Sequence, residues 1–358
     1  MDETEKLLKE LTEASGIPGY ETEIRSIIHR YFQPLGQITH DKLGSLVCQK
    51  TGDATEPKVM LAAHMDEIGL MVSHITENGF VKFIPVGGWW DHVLLAQRMA
   101  IKTNKGDVIG VIGAKPPHVL TDEERKKLVE KKDMYLDIGA TSQKEAEETG
   151  VRVGDPIIPV SQFTIMANGR SYLSKALDDR VGCAVTIATM QKLAKTGHPN
   201  TVFGVATVQE EVGLRGATTS VDMVNPDVAI ILEDGITGDV PGIKYEDMPT
   251  KLGSGPILTL FDESMIPNLK LRDFIIDTAR KHQIPLQTHA GGWKGSTDGA
   301  VIHKHRSGVP TVLLGIPVRH CHSHAGIMHR SDFDQTVELL TSVIRELDKN
   351  TAVQLTSW

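Results

Sequence analysis

The first 64 residues alternate between helix-type and strand-type patterns of apolar side chains. Leu7, Leu8 and Leu11 recur at helical spacing, and a second helical pattern covers residues 21–32. Two apolar runs follow, at residues 45–49 and at KVMLAA, and the second run ends on His64. The pattern predicts two helices and then two strands. It also leaves a polar side chain at a carboxyl strand end, which is where open α/β sheets place their sites.

The pattern changes between about residues 70 and 165. Short β-type runs broken by glycine-rich turns occupy this segment, among them GLMVSHI, GFVKFIPV, GDVIGVIG and GDPIIPV. A single charged stretch, TDEERKKLVEKK, is predicted to be helical here. Strands at such short spacing predict a small β-barrel or a sandwich.

From about residue 166 the alternation of helix and strand returns. Helices are predicted at residues 181–194, at LRDFIIDTARKH and at FDQTVELLTSVIREL, and strands at TVFGVATV, VAIILE and TVLLGI. This order predicts an α/β fold with a mostly parallel sheet flanked by helices. We therefore expect a discontinuous catalytic domain made of residues 1–69 and 165–358. A small β-barrel-like domain, residues 70–164, is inserted between its two parts.

Composition and charge exclude several classes of protein. The 358 residues carry 38 Lys+Arg against 46 Asp+Glu, a net charge of −8, which argues against nucleic acid or an anionic membrane as a partner. The acidic N-terminus has no apolar segment typical of a signal peptide. The three cysteines, Cys48, Cys183 and Cys321, are widely separated, so a reducing cytoplasm is the expected location.

Five segments place metal-type ligands at predicted strand ends or in nearby loops. They are AAHMDEIG with His64 and Asp66, KALDDRVG with Asp178 and Asp179, VQEEVGLRGA with Glu210 and Glu211, ILEDGITGD with Glu233 and Asp234, and RHCHSHAG with His320, His322 and His324. Burying uncompensated carboxylates there would be costly, and bound cations would offset that cost. Histidines combined with several carboxylates suit Zn²⁺, Co²⁺ or Mn²⁺ rather than Ca²⁺.

Two local arrangements within these segments can be predicted from the residues themselves. On an extended segment, Glu210 and Glu211 would point to opposite sides, so that one binds metal and the other faces the substrate. A free carboxylate beside an activated water can serve as a general base. Asp179 and Arg180 are expected to form a local ion pair that supports Asp178.

The five motifs, in this order and spacing, resemble the M42 family of metallo-aminopeptidases. The matching pattern is H-x-D, A-L-D-D-R, Q-E-E-V-G-x-x-G-A, an acidic strand end before G-D-V-P-G, and R-x-x-H-S. GIPGYE, GGWWDHVL, FDESMIPN and Thr-Asp-Gly at 297–299 fit as well. The resemblance implies a dinuclear metallopeptidase fold with two divalent metal ions per subunit, Zn²⁺ or Co²⁺ first and Mn²⁺ next.

The resemblance also implies a role for each residue that matches a motif. Asp178 would bridge the two ions. His64 and Glu233 (or Asp234) would complete one ion site, and Glu211 and His322 would complete the other. Glu210 would be the general base, and Asp66 would orient the imidazole of His64.

The chain departs from the family pattern at two places. Relatives usually carry Asp and then a small or apolar residue where this chain has Glu233 and Asp234. Counting back from G-D-V-P-G puts Glu233 in the ligand position, and Asp234 would be the ligand if the strand end were shifted by one residue. The chain also reads HSHAG where many relatives have HSPxE, so His324 is a candidate for substrate contact rather than a ligand.

The expected function is the metal-dependent removal of N-terminal residues from short peptides. Glycoside hydrolysis is an alternative, since some relatives carry an endoglucanase label and paired carboxylates can serve that reaction. A metal-binding protein without catalysis is a third reading. The resemblance further implies self-association into a homododecamer through the inserted domain.

Overall fold

The computed structural model describes residues 1–291 and 295–357. Residues 292–294 and 358, which belong to the predicted catalytic segment, lie outside the described residues. The strands are β1 (Gln37–His40), β2 (Leu46–Thr51), β3 (Lys58–His64), β4 (Gly69–Ile75), β5 (Val81–Val86), β6 (Arg98–Thr103), β7 (Gly106–Gly113), β8 (Tyr135–Asp137), β9 (Pro156–Pro159), β10 (Thr164–Ile165), β11 (Ser171–Ser174), β12 (Thr201–Thr207), β13 (Val228–Ile236), β14 (Ile257–Thr259), β15 (Gln287–His289), β16 (Thr311–Arg319) and β17 (Gly326–His329). The helices are α1 (Glu3–Glu13), α2 (Thr22–Phe32), α3 (Asp122–Arg125), α4 (Gln143–Glu148), α5 (Leu177–Thr196), α6 (Arg215–Val224), α7 (Leu269–Lys281), α8 (Gly299–Ile302), α9 (Arg330–Glu346) and α10 (Lys349–Gln354).

A large mixed sheet forms the centre of the fold, in the order β1-β2-β12-β3-β13-β16-β17-β11-β10. The four middle strands, β12, β3, β13 and β16, run parallel to one another. The flanking strands pair antiparallel at both edges. The α/β fold class is therefore confirmed, and the parallel arrangement that the sequence predicts is found in the four middle strands and in the pair β14–β15, which joins the sheet beside β16.

Helices cover both faces of this sheet because its middle strands are apolar on both sides. Along β3, Val59, Leu61 and Ala63 pack with helices α1, α2, α5, α7 and α9. Met60 and Ala62 point the opposite way and pack with α6 and α8. This alternation follows the two-residue period of a strand, and burial on both faces is typical of parallel strands.

A second hydrophobic core lies inside a closed six-stranded barrel, in the order β4-β5-β8-β7-β6-β9. All of its strand pairs are antiparallel. Closure leaves no free sheet edge. The barrel predicted from the short strand spacing is present, with its strands between residues 69 and 159.

Two helical details of the barrel segment differ from the predictions. Only Asp122–Arg125 of TDEERKKLVEKK is α-helical, with Thr121 and Glu124 forming a capping box at its start. The helix Gln143–Glu148 is absent from the predictions; it buries only Ala146, and the side chain of the preceding Ser142 caps it by accepting a hydrogen bond from the Glu145 amide. With a single apolar contact, this helix leaves no periodic signal in the sequence. Among the residues that the structure describes, none of the helices has the length and apolar character needed to cross a bilayer.

Candidate metal centre

The five predicted metal ligands meet at the carboxyl edge of the parallel strands. His64 ends β3, and Glu233 lies near the end of β13. Asp178 comes from the first turn of α5, Glu211 from the turn after β12, and His322 from the loop after β16. Parallel strands bring their carboxyl ends to one edge of the sheet, which is why residues so distant in sequence come together here.

Asp178 lies between the two imidazoles. Its Oδ1 is 3.0 Å from His64 Nε2, and its Oδ2 is 3.1 Å from His322 Nε2. An irregular start to α5 sets this position, since Ala176 adopts left-handed dihedral angles and Asp178 and Asp179 are not helical. The two oxygens of one carboxylate thus face two different histidines.

Each imidazole also has a second carboxylate beside it. Glu233 Oε1 lies 3.5 Å from His64 Nε2, and Glu211 Oε1 lies 3.6 Å from His322 Nε2. We call His64, Asp178 and Glu233 the His64 half-site, and His322, Asp178 and Glu211 the His322 half-site. The two half-sites share Asp178.

Glu233 and Asp234 differ in their surroundings. Glu233 faces His64, as described above. Asp234 Oδ1 lies 3.7 Å from Cys321 Sγ, and its other carboxylate oxygen is buried without a hydrogen-bond partner. Asp178, Glu233 and Asp234 each offer an oxygen within 4.8 Å of the others, so both acids border the centre. The geometry favours Glu233 as the partner of His64.

The Glu210–Glu211 pair does not lie on an extended segment, so the predicted reason for its divergence is wrong. Strand β12 ends at Thr207, and Gln209 has a left-handed backbone with φ of +56°. The Asp66 carboxylate accepts hydrogen bonds from the next two backbone amides, Glu210 N at 3.0 Å and Glu211 N at 3.1 Å. A turn held by Asp66 therefore directs Glu211 toward His322. Glu210 Oε2 lies 4.0 Å from His64 Nε2.

The contact between Asp66 and His64 differs from the predicted one. His64 Nδ1 lies 3.0 Å from the backbone carbonyl oxygen of Asp66, which accepts its hydrogen bond. The Asp66 carboxylate is farther away, at 3.7 Å. The imidazole is oriented by the main chain of this residue, while its side chain orients the two glutamates.

Burial and crowding of like charges shift the pKa values of this centre. Burial raises the pKa of Glu211 to about 8, and it raises the pKa of Glu210 and Asp234 well above their usual range. For Asp178 burial acts in the same direction, but the hydrogen bonds from His322 and His64 outweigh it and lower the pKa. Burial lowers the pKa of His322, but Asp178 and Glu211 outweigh it and raise this pKa to about 10.

The donor set fits divalent transition metals. Two imidazole nitrogens and three carboxylates, of which His64 and Glu233 are buried and the other three partly buried, are ligands that Zn²⁺, Co²⁺ and Mn²⁺ accept. Cations at the two half-sites would compensate the carboxylates that burial otherwise pushes toward protonation. The residues present therefore fit a pair of metal ions.

Asp179 and Arg180 do not pair with each other, contrary to the prediction. The Asp179 carboxylate accepts the backbone amides of His64 and Gly182, both at 3.1 Å. Arg180 is fully buried and binds the carboxylate of Glu67 at 3.3 Å, together with the carbonyl oxygens of Leu11, Ala14 and Met65. Asp179 thus fixes the backbone at the end of β3. Its place beside Asp178 in LDDR is the only sequence signal of that role.

Cys321 is a neighbour of the centre that the motifs do not include among the metal-type ligands. Its Sγ lies 3.3 Å from Asp178 Oδ2, and the thiol is partly buried. Its position next to His322 in RHCHS is the signal that could have placed it here. Asp298, from the Thr-Asp-Gly segment, is buried nearby, and its Oδ2 accepts the Thr207 hydroxyl at 2.5 Å.

Both half-sites open onto a cavity of about 700 Å³. Its walls include Glu210, Leu214, Ile236, Asp262 and Leu313. This volume lies within the range of about 300–1,000 Å³ that is typical of small-molecule sites. The predicted general base therefore faces a space large enough for the end of a peptide.

His324 is buried away from the predicted substrate contact. Its ring packs against Trp89, with centroids 5.1 Å apart, and its Nε2 lies 3.2 Å from Met99 Sδ. Burial lowers the pKa of His324 to about 4, so this imidazole is neutral at pH 7. His324 belongs to the contact between the barrel and the catalytic sheet.

Comparison with known proteins identifies the family of this chain. Residues 44–339 match the family model described as M42 glutamyl aminopeptidase. The chain is 35% identical over 345 residues to a lysyl aminopeptidase of Pyrococcus furiosus, covering 96% of this chain and 97% of the relative.

Two solved structures have the same fold. One is a TET aminopeptidase from the marine sediment archaeon Thaumarchaeota archaeon SCGC AB-539-E09, which is 47% identical at a TM-score of 0.96, with 99% of each chain covered. The other is the PhTET1-12s dodecamer, which is 32% identical at a TM-score of 0.84, covering 97% of this chain and all of the other. With a family model that spans most of its length and relatives aligned nearly end to end, this chain belongs to the M42 glutamyl aminopeptidase family and is a peptidase.

Proposed function

We propose that the protein is a metal-dependent aminopeptidase whose centre holds two divalent ions. The observation that best supports this proposal is the position of Asp178, whose two carboxylate oxygens each lie about 3 Å from a different imidazole. A shared carboxylate between two sets of ligands is what a dinuclear site requires. The His64 half-site would hold one ion and the His322 half-site the other. Zn²⁺ or Co²⁺ suits these ligands, and Mn²⁺ is compatible with them.

The bound ions would act as Lewis acids that polarise the scissile carbonyl and lower the pKa of the attacking water. Glu210 is the residue we assign as general base. Its carboxylate faces the cavity and, at 4.0 Å from His64 Nε2, lies farther from an imidazole than the three carboxylates of the half-sites do. An ionised carboxylate in this position can take a proton from water and pass it to the leaving amine. Asp66 holds this glutamate in place through the Glu210 amide.

Short peptides are the substrates we propose. The cavity beside the half-sites accommodates one end of a chain, and the surrounding carboxylates favour a positively charged α-amino group there. A glycoside hydrolase needs one carboxylic acid and one carboxylate across the scissile bond and has no use for two histidines. The histidines therefore favour the peptidase.

Removing the metal is expected to abolish hydrolysis of an amino-acid p-nitroanilide. Exhaustive chelation should leave a folded protein without activity, and added Zn²⁺ or Co²⁺ should restore the rate. The same samples should be assayed on a soluble glucan, where we expect no hydrolysis in any state. Full p-nitroanilide activity after chelation would contradict metal dependence. Metal-dependent release of reducing sugar would favour the glycoside hydrolase instead. A protein that binds metal and cleaves neither substrate would be the non-catalytic metal-binding protein.

We also propose that residues 70–164 form an inserted domain that mediates self-association. The barrel exposes apolar side chains on its outer surface. Among them, Ile84 is 50% exposed, Ile109 47% and Val111 41%. Exposed apolar surface of this kind is typical of interaction sites, and the PhTET1-12s neighbour is a dodecamer.

Light scattering of the intact protein is expected to give the mass of a homo-oligomer, with a homododecamer as the specific expectation. The triple variant Ile84→Lys, Ile109→Lys, Val111→Lys should yield a smaller species, because buried lysines would oppose the interface. A monomeric wild-type protein would contradict this proposal.

A cytoplasmic location is the last part of the proposal. Cys48, Cys183 and Cys321 are all free thiols. Free cysteines are common where the compartment is reducing.

A further inference from the structure

The inserted barrel contributes a hydrogen bond to the metal centre. His322 Nδ1 lies 2.6 Å from the carbonyl oxygen of Gly88, in the segment that follows β5 of the barrel. A carbonyl oxygen can only accept, so Nδ1 carries the proton. This leaves Nε2 facing Asp178 and Glu211. Such a partner on the far nitrogen is what fixes the ring orientation of a metal-binding histidine.

The two glycines of this segment pack directly against the His322 half-site. A Cβ atom at position 88 would lie 2.8 Å from His322 Nδ1. A Cβ atom at position 87 would lie 3.0 Å from Glu211 Oε2 and 2.6 Å from Ile68 Cγ2, and Gly87 has φ of +83°. Glycine at both positions lets the backbone of this segment approach the side chains of His322 and Glu211 closely. Each contacts a ligand of the same half-site.

Trp89, the residue that follows Gly88, is anchored by hydrogen bonds and by packing. Its indole N–H donates to the Gly69 carbonyl at 2.8 Å, and its own carbonyl accepts from Lys131 Nζ at 2.9 Å. Its ring, 6% exposed, packs on His324, two residues after His322. Trp89 is therefore tied to the barrel on one side and to the loop of the ligand on the other.

We propose that the Gly88 carbonyl, held by Trp89, is a positioning group for His322. Through it, the inserted barrel sets the affinity of the His322 half-site, while the His64 half-site is independent of the barrel. This inference rests on the proposed dinuclear centre. It makes Trp89 a positioning residue, since Trp89 acts through Gly88 and His322.

The test is competitive titration of metal-free protein with Co²⁺ or Zn²⁺ against a chromophoric chelator. Gly88→Ala should weaken binding of one ion by about 10–100-fold, the usual effect of losing a hydrogen-bond partner of a ligand. Trp89→Phe keeps an aromatic ring against His324 but loses the indole hydrogen bond, and should weaken the same ion by about 10-fold.

Two variants control for general damage to the barrel. At Gly139, where φ is +81°, alanine would strain the barrel backbone but its Cβ atom would meet nothing within 4 Å, and Trp90 is 62% exposed. Gly139→Ala and Trp90→Phe should therefore leave both affinities unchanged.

Single-ligand backgrounds identify the ion that is affected. In His64→Ala protein, which retains the His322 half-site, Gly88→Ala should weaken the remaining ion. In His322→Ala protein it should change nothing. Equal weakening in both backgrounds, or unchanged affinities in Gly88→Ala and Trp89→Phe, would overturn the inference. Wild-type protein that binds no metal would instead overturn the proposed function, so the two failures are distinguishable.

Discussion

Asp178→Ala protein is expected to bind no metal and to show no peptidase activity above that of chelated wild-type protein. Asp178 is the residue that both half-sites share, at 3.0 Å from His64 Nε2 and 3.1 Å from His322 Nε2. Losing a hydrogen-bond partner of a ligand already weakens metal affinity by about 10–100-fold. Losing a direct ligand should weaken the affinity for each ion by more than about 100-fold. Elemental analysis after equilibration with a metal buffer measures the effect.

Neighbouring acids provide the matched controls for this variant. Glu233→Ala should lose the ion of the His64 half-site and keep the other, because Glu233 faces only His64. Asp234→Ala should keep both ions, since its carboxylate lies toward Cys321. An Asp234→Ala protein that lost one ion, beside a Glu233→Ala protein that kept both, would exchange the two assignments.

Misfolding has to be separated from ligand loss. Chelated wild-type and chelated Asp178→Ala protein should unfold at similar temperatures. Two metals bound to the variant with wild-type affinity would show that Asp178 does not bridge the half-sites.

The elements that carry the centre could be predicted because each has a strong local signal. The apolar run of β3 ends on His64, and the apolar run of β13 leads into Glu233. The α/β alternation then places these ends at one edge of the sheet. The barrel could be predicted for a related reason, since closely spaced strands with glycine-rich turns have few other solutions.

The predictions that the structure contradicts concern contacts between segments that are distant in sequence. The turn of Glu210 and Glu211 is set by the Asp66 carboxylate, 144 and 145 residues away in sequence. Arg180 finds Glu67 and the carbonyl oxygens at the end of α1 rather than its neighbour Asp179. No local pattern encodes such partners, because each depends on how the sheet brings the segments together.

The contact between the barrel and the loop that carries His322 also could not be predicted from local sequence patterns. HSHAG suggested a loop at the substrate, yet His324 is buried under Trp89, 235 residues earlier in the chain. Gly88 could be read from the sequence only as part of a turn. Its role depends on its backbone carbonyl oxygen. Every residue has such an oxygen, so the residue type does not reveal this role.

Glu210→Gln is expected to keep both metal ions and to lose about 10²–10⁴-fold in kcat, the usual contribution of a general base. The amide has the shape of the carboxylate but cannot take a proton from water. The backbone amide of residue 210 can still donate its hydrogen bond to the Asp66 carboxylate, so the turn should be preserved. Metal content by elemental analysis and kcat on a p-nitroanilide, measured on the same sample, separate the two properties.

Glu211→Gln is the matched variant, because it makes the same change one residue later in the same turn. Glu211 Oε1 lies 3.6 Å from His322 Nε2, so this variant should lose affinity for the ion of the His322 half-site. Excess Zn²⁺ should then restore part of its rate, whereas it should not restore Glu210→Gln. If excess Zn²⁺ rescued Glu210→Gln instead, the two glutamates would have exchanged roles. A Glu210→Gln protein with wild-type kcat would remove Glu210 from the reaction, and the proton from the water would need another acceptor.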